Sequence, residues 1–206
     1  MTTLLDLIGP NASPPGEIAG YWECVPQFSL GGNDRYGDCV FCTAANFTDL
    51  MTAVNGTPQL VPDGEVQRWY AWETGWTRAN PESDKGEVLE KMLQVWRDHG
   101  NPSEPLDRLA GYCAIAPEEI HQAVHSLGAV PVWCELPSYN DRWDFNDRSV
   151  ALKTKGTGPH AVLIVESNPT GLKLVTWAEL VDVSHAWWRA YGRDAYAVRH
   201  PVWKVS

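Results

Sequence analysis

Apolar residues recur at two spacings along this chain, and the spacing changes about two thirds of the way through. Residues 39–54, "CVFCTAANFTDLMTAV", place them every three or four positions, which predicts an amphipathic helix that Asn55-Gly56 ends. Residues 63–76, "DGEVQRWYAWETGW", predict a short helix with Asp63 as its cap and Val66, Trp69 and Tyr70 on one face. Residues 84–100, "DKGEVLEKMLQVWRDHG", predict a third, with a stripe of Val88, Leu89, Met92, Leu93 and Trp96 closed by Gly100. Residues 116–128 predict a fourth, with Pro117 in its first turn and Gly128 at its end. The pattern then changes to short β-rich runs: "AVPVWCEL", "HAVLIVES", "LKLVTW" and "DAYAVRH". "NPTG" makes the middle two an antiparallel hairpin, and "HAWWRAYG" is a helical turn. Helices first and strands later predict an α+β domain. Residues 1–36, rich in Gly and Pro, read as an extended arm laid over a domain of residues 37–206.

At 206 residues the chain is long enough to bury a core without covalent staples. Its net charge of −10 and the lack of any Lys/Arg cluster argue against nucleic acid and anionic membrane as partners. No apolar run approaches the roughly 20 residues of a membrane helix. The first residues lack the basic and apolar regions of a signal peptide, so the chain is expected to be cytoplasmic when made. Eleven Trp raise the expectation of a contact surface. Five cysteines, an odd number, suit free thiols better than a disulfide framework. Cys113 and Cys134, in apolar surroundings, read as buried core thiols.

The candidate chemistry lies in "NDRYGDCVFC", residues 33–42. C-x-x-C is half of a zinc site, but no second half accompanies it. His121 and His125 read as solvated helix positions, so no metal or other cofactor is expected. A redox pair would normally follow a strand, and here a loop precedes the motif. The third reading is a nucleophile. Cys39 follows a glycine loop and opens the first long helix, where the helix N-terminus is expected to depress its pKa. Gly37 would let the backbone approach a substrate. The amide of Asn33, six residues before Cys39, can donate to an oxyanion. His160 stands at a strand entrance as a possible base. Asp38 is a candidate helix cap.

Cys on the first long helix, a late "G-x-H-A-V" strand and a hairpin ending in "TW" resemble the papain-like cysteine peptidase fold. More narrowly, "GNDRYGDC", "DKGEVLEKMLQVWRDHG" and "GPHAVLIVE…LVTW" resemble papain-like proteins of bacteriophages and bacteria. The resemblance covers about residues 30–200. It implies a nucleophile helix packed on a C-terminal antiparallel sheet. It also implies a catalytic set of Cys39, His160, Thr176 and Asn33, with Gly37 and Trp177 beside the substrate. Thr176 stands sixteen residues after His160, where the family carries Asn or Asp; Glu179 and Asp182 are alternatives. A second register takes Cys42 as nucleophile and puts Tyr36 at the oxyanion position; Cys39 is preferred. Trp177 would shield the site's hydrogen bonds or fill the core. Two functions follow as expectations. One is thiol acyl transfer, hydrolysing a peptide or peptidoglycan-like amide. The other is a phage structural or interaction protein with a vestigial site, associated with the virion and binding other virion proteins.

Overall fold

The computed structural model describes residues 2–13, 15–101, 107–139, 142–143 and 156–203, with side chains described except at 137–139, 142–143 and 156–157. Helices dominate the first part: α1 (Leu4–Ile8), α2 (Cys39–Val54), α3 (Asp63–Thr74), α4 (Leu89–His99) and α5 (Ile120–Leu127). The sheet follows, from β1 (Ala19–Gly20), β2 (Gly111–Ile115), β3 (Val130–Tyr139), β4 (Arg142–Trp143), β5 (Gly156–Asn168), β6 (Gly171–Thr176), β7 (Glu179–Ser184) and β8 (Gly192–Arg199), with α6 (His185–Tyr191) before the last strand. The main path runs β2-β8-β3-β5-β6-β7, with β1 paired to β5 and β4 to β3. Every pairing is antiparallel.

Helix α2 is buried almost all round, from Val40 through Met51. It has apolar or small residues on every face because the sheet covers one side and the other helices cover the rest. Phe41 meets Trp69 and Tyr70 of α3 at 5.6 and 5.4 Å, and Phe47 meets Trp96 of α4 at 6.0 Å. The core then continues into the sheet through Val132, Cys134, Ala161 to Val165 and Leu174. The arm joins it: Leu4, Leu7, Ile8, Ala19 and Phe28 are buried, and Ala19 pairs with Ser167.

Several local expectations need correction. Helix α4 starts at Leu89, not at residue 84, because Gly86 takes a positive φ of 69° and residues 84–88 form a loop. Asp63 does not cap α3. The helix enters through Pro62, and Asp63 instead accepts the Gly31 N–H at 2.9 Å. His121 is not solvated: its ring bonds the Ser167 hydroxyl at 3.1 Å and the Gly16 carbonyl at 2.8 Å. Asp38 precedes α2 but makes no capping bond. The "NPTG" turn forms as expected, with Asn168 Oδ1 accepting from Thr170 N and Gly171 N at 2.9 and 3.1 Å.

Candidate active site

Cys39 is the first residue of α2 and is half-buried. It lines a cleft of about 490 Å³ with Gly37, Trp133, Pro159 and the 84–88 loop. Gly37 explains how that loop sits so close. Its N–H donates to Asp84 Oδ1 at 2.9 Å, and a Cβ there would lie 2.9 Å from the same oxygen and 3.2 Å from Gly86 N. The Tyr70 hydroxyl donates to Asp84 Oδ1 at 2.6 Å and accepts from Gly86 N–H at 3.0 Å, which locks the loop. So the close approach that Gly37 permits is to the chain's own 84–86 loop.

The sheet brings the start of β5 to Cys39, with Pro159 in the cleft wall. His160 lies near the start of β5, opposite Cys134 of β3, and is buried. The N–H of Ala161, the next residue, faces the Cys39 sulfur and favours its thiolate. His160 Nε2 bonds Thr176 Oγ1 at 2.8 Å. Thr176 is also buried and ends β6. Trp177 then lies flat against His160, with ring centroids 5.0 Å apart and planes 23° from parallel. Its indole N–H donates to the Asn33 carbonyl at 3.0 Å, tying the loop before α2 to the histidine hairpin.

That hairpin is held under backbone strain. Thr176 pairs with Glu179, so the turn has two residues, Trp177 and Ala178, with φ of 49° and 61°. This is the left-handed geometry of a type I′ turn, which normally uses Asn and Gly. Two residues with a Cβ there cost on the order of 1 kcal/mol each, and the cost is met where packing fixes the turn.

The arrangement separates the candidate residues. His160, Thr176 and Trp177 meet, with the Asn33 backbone bonded to Trp177, and Cys39 reaches this group through the N–H of Ala161 beside His160. Among the described residues no hydrogen bond occupies the Asn33 side-chain amide. Cys42 points elsewhere: it is buried, with Sγ at 3.3 Å from the Leu30 carbonyl and 3.5 Å from Asp38 Oδ1. Tyr36, its partner in the second register, packs on Trp76 at 4.7 Å under Arg78. Neither Glu179 nor Asp182 replaces Thr176 as the partner of His160 Nε2, and Asp182 pairs with Lys173. Among the described residues no three His, Cys, Asp or Glu gather to hold a metal ion.

The electrostatics overturn the expected low pKa of Cys39. Burial pushes its thiol up to about 11, against the Ala161 and Val40 N–H groups that favour the thiolate, and the Asp38 carboxyl adds to the rise. Burial likewise drives His160 down to about 4. A helix N-terminus carries about half a positive charge, which desolvation outweighs here. The resting pair is therefore a thiol and a neutral imidazole. Sequence reasoning missed the 84–88 loop, Trp133 and Pro159 as cleft walls; the Gly within "DKGEV" was the available signal for the loop.

Solved structures carry the same architecture. Xylellain, a cysteine protease from Xylella fastidiosa, superposes with a TM-score of 0.62 at 11% identity, over 91% of this chain and 87% of that one. Digestive procathepsin L 3 from the larval midgut of Tenebrio molitor superposes with a TM-score of 0.59 at 11% identity, over 93% of this chain and 72% of that one. No protein-family model and no curated protein sequence matches the chain. The chain has the papain-like α+β fold, with its first long helix packed on a C-terminal antiparallel sheet.

Proposed function

We propose that the chain is a cysteine hydrolase that cleaves a peptide or cell-wall amide by thiol acyl transfer. One observation carries this reading: Cys39 opens into a cleft against the strand that bears His160, and Thr176 holds the far nitrogen of that imidazole. With a proton on Nε2 donated to Thr176 Oγ1, Nδ1 keeps a free lone pair. It takes the Cys39 proton as Sγ attacks the carbonyl carbon, which matches a neutral resting pair. The Asn33 amide and the Cys39 N–H hold the oxyanion. The imidazolium passes its proton to the departing amine, leaving a thioester. Water, deprotonated by the same imidazole, then releases the acid and restores the thiol. Gly37 lines the cleft with Trp133 and Pro159, Trp177 stacks on His160, and no cofactor takes part.

A second reading is favoured by the raised Cys39 and lowered His160 pKa values and by a neutral Thr176 in the orienting position. In it the same fold is a phage structural or interaction protein with an unused site, meeting other virion proteins. Against it stands the placement of the tryptophans: Trp69, Trp76, Trp96, Trp187, Trp188 and Trp203 are all core residues. Hydrolysis of peptide libraries and peptidoglycan fragments decides between the two. Wild type is expected to release product and Cys39→Ala and His160→Ala none; a wild type as inert as Cys39→Ala ends the enzyme reading.

A further inference from the structure

Asp38 is fully buried beside the nucleophile, yet it neither caps α2 nor meets a cation. Its Oδ2 has no hydrogen-bond partner and faces the Cα of Gly32, where a Cβ would come within 3.2 Å. Its Oδ1 lies 3.5 Å from Cys42 Sγ. That sulfur also lies 3.3 Å from the Leu30 carbonyl, which already accepts from Gly32 N at 2.8 Å and Asn33 N at 3.1 Å. A carbonyl can only accept, and a thiol has one proton. One placement of protons gives both sulfur contacts a donor and an acceptor: Cys42 S–H donates to Leu30, and a protonated Oδ1 donates to sulfur. A charged Asp38 would instead leave an ionised oxygen buried and unpaired, the costliest arrangement available to it.

Burial acts most strongly on Asp38 and favours the neutral acid, outweighing the Cys42 S–H and its own backbone N–H, which favour the carboxylate. The charges that reach Asp38 are the carboxylates of Asp84, after α3, and Asp34, in its own loop; both repel a third. Cys39 and Cys42 on α2 and Tyr70 on α3 are neutral neighbours. Asp63 of α3 binds Gly31 N–H. Burial raises the carboxyl to about 7.

We infer that Asp38 is a positioning residue that works as a neutral acid: its O–H···Sγ bond to Cys42 braces the Leu30 carbonyl, which sets the loop carrying Asn33. Losing that proton loosens the loop. The functional half of this inference rests on the hydrolase reading above; the structural half does not.

The test uses the intact protein. Asp38→Asn keeps the shape and supplies a neutral N–H donor to Cys42, while Asp38→Ala removes the brace. Carboxyl NMR of protein carrying labelled aspartate is expected to show one carboxyl, absent from Asp38→Asn, titrating near neutrality. Alkylation of Cys42, read by mass spectrometry, is expected to run at equal rates in wild type and Asp38→Asn at about pH 6, and about tenfold faster in wild type by about pH 8. Asp38→Ala, if folded, is expected to label fast throughout. Amide hydrolysis is expected to fall over the same interval in wild type and to persist in Asp38→Asn. A carboxyl titrating in the ordinary aspartate range, or identical Cys42 labelling at every pH, overturns the inference. Absent hydrolysis with the expected titration and labelling overturns the hydrolase reading and leaves the brace standing.

Discussion

His160 and Asp38 are shifted by the same cause in opposite directions, and each ties stability to pH with its own sign. A buried imidazole that prefers to be neutral contributes stability fully present above its unfolded value of about 6.5, lost as pH falls toward the folded value of about 4. A buried carboxyl that prefers to be neutral contributes stability present below the unfolded value of 3.8, lost as pH rises through the folded value of about 7. Asp49, raised to about 6, adds to the second slope. His160→Gln is therefore expected to remove part of the acid-side loss in thermal unfolding between about pH 6.5 and 4. An unchanged acid limb in that variant would show that His160 is solvated. The thiol makes a separate prediction. With its pKa near 11, Cys39 is expected to gain about tenfold in iodoacetamide reactivity per pH unit between about pH 7 and 9. A plateau below pH 8 would mean that the helix N-terminus wins after all. Thr176 gives His160 one neutral hydrogen bond, worth about 1 kcal/mol net. Thr176→Val should lower any hydrolysis, and Thr176→Asn should preserve or raise it, as judged by kcat/KM.

The elements that were legible in the sequence are those whose burial is local. Helix α2 carries apolar residues at helical spacing, β5 the apolar run Ala161 to Val165 and β6 apolar positions around Lys173, and "NPTG" states its turn through Asn168. The missed elements depend on partners far away. Strand β2 is recognisable only beside β8, and β7 alternates around exposed Glu179, Leu180 and Asp182 at the sheet edge. The start of α4 failed for a related reason: Asp84 and Gly86 are held by Tyr70 and Gly37, so a helix-compatible stretch was pulled into a loop. The Trp177–Ala178 turn was invisible because neither residue type advertises a positive φ. Ala178→Gly is expected to stabilise the protein by up to about 1 kcal/mol by releasing that strain, measured by denaturant unfolding. A destabilised variant would show that the Ala178 methyl contributes more by packing than its φ costs.

For the whole molecule, the order of Cys, histidine strand and hairpin was enough to identify the architecture, even though both structural neighbours share only 11% of its residues. The approach of the His160 strand to Cys39 was less accessible, because it depends on the sheet register. The tryptophans show the limit of composition. Eleven of them suggested a surface, and the fold uses most as core pieces with a polar tip: Trp96 donates to the Asp107 carbonyl at 3.1 Å and Trp203 to Ser126 at 2.6 Å. Trp96→Ala is expected to cost about 3–5 kcal/mol in chemical denaturation, whereas Trp72, 54% exposed, can be replaced by Ala with little effect.

The hydrogen bond from the Trp177 indole to the Asn33 carbonyl spans 144 positions of the chain. Synthesis runs from the N-terminus, and the first part of a chain is free of the ribosome long before the last. The loop before α2 emerges early and must wait for the β6–β7 hairpin to be translated and laid over it. The delay between the two halves thus acts as a built-in timer: the loop before α2 is closed over only near the end of the chain's own synthesis.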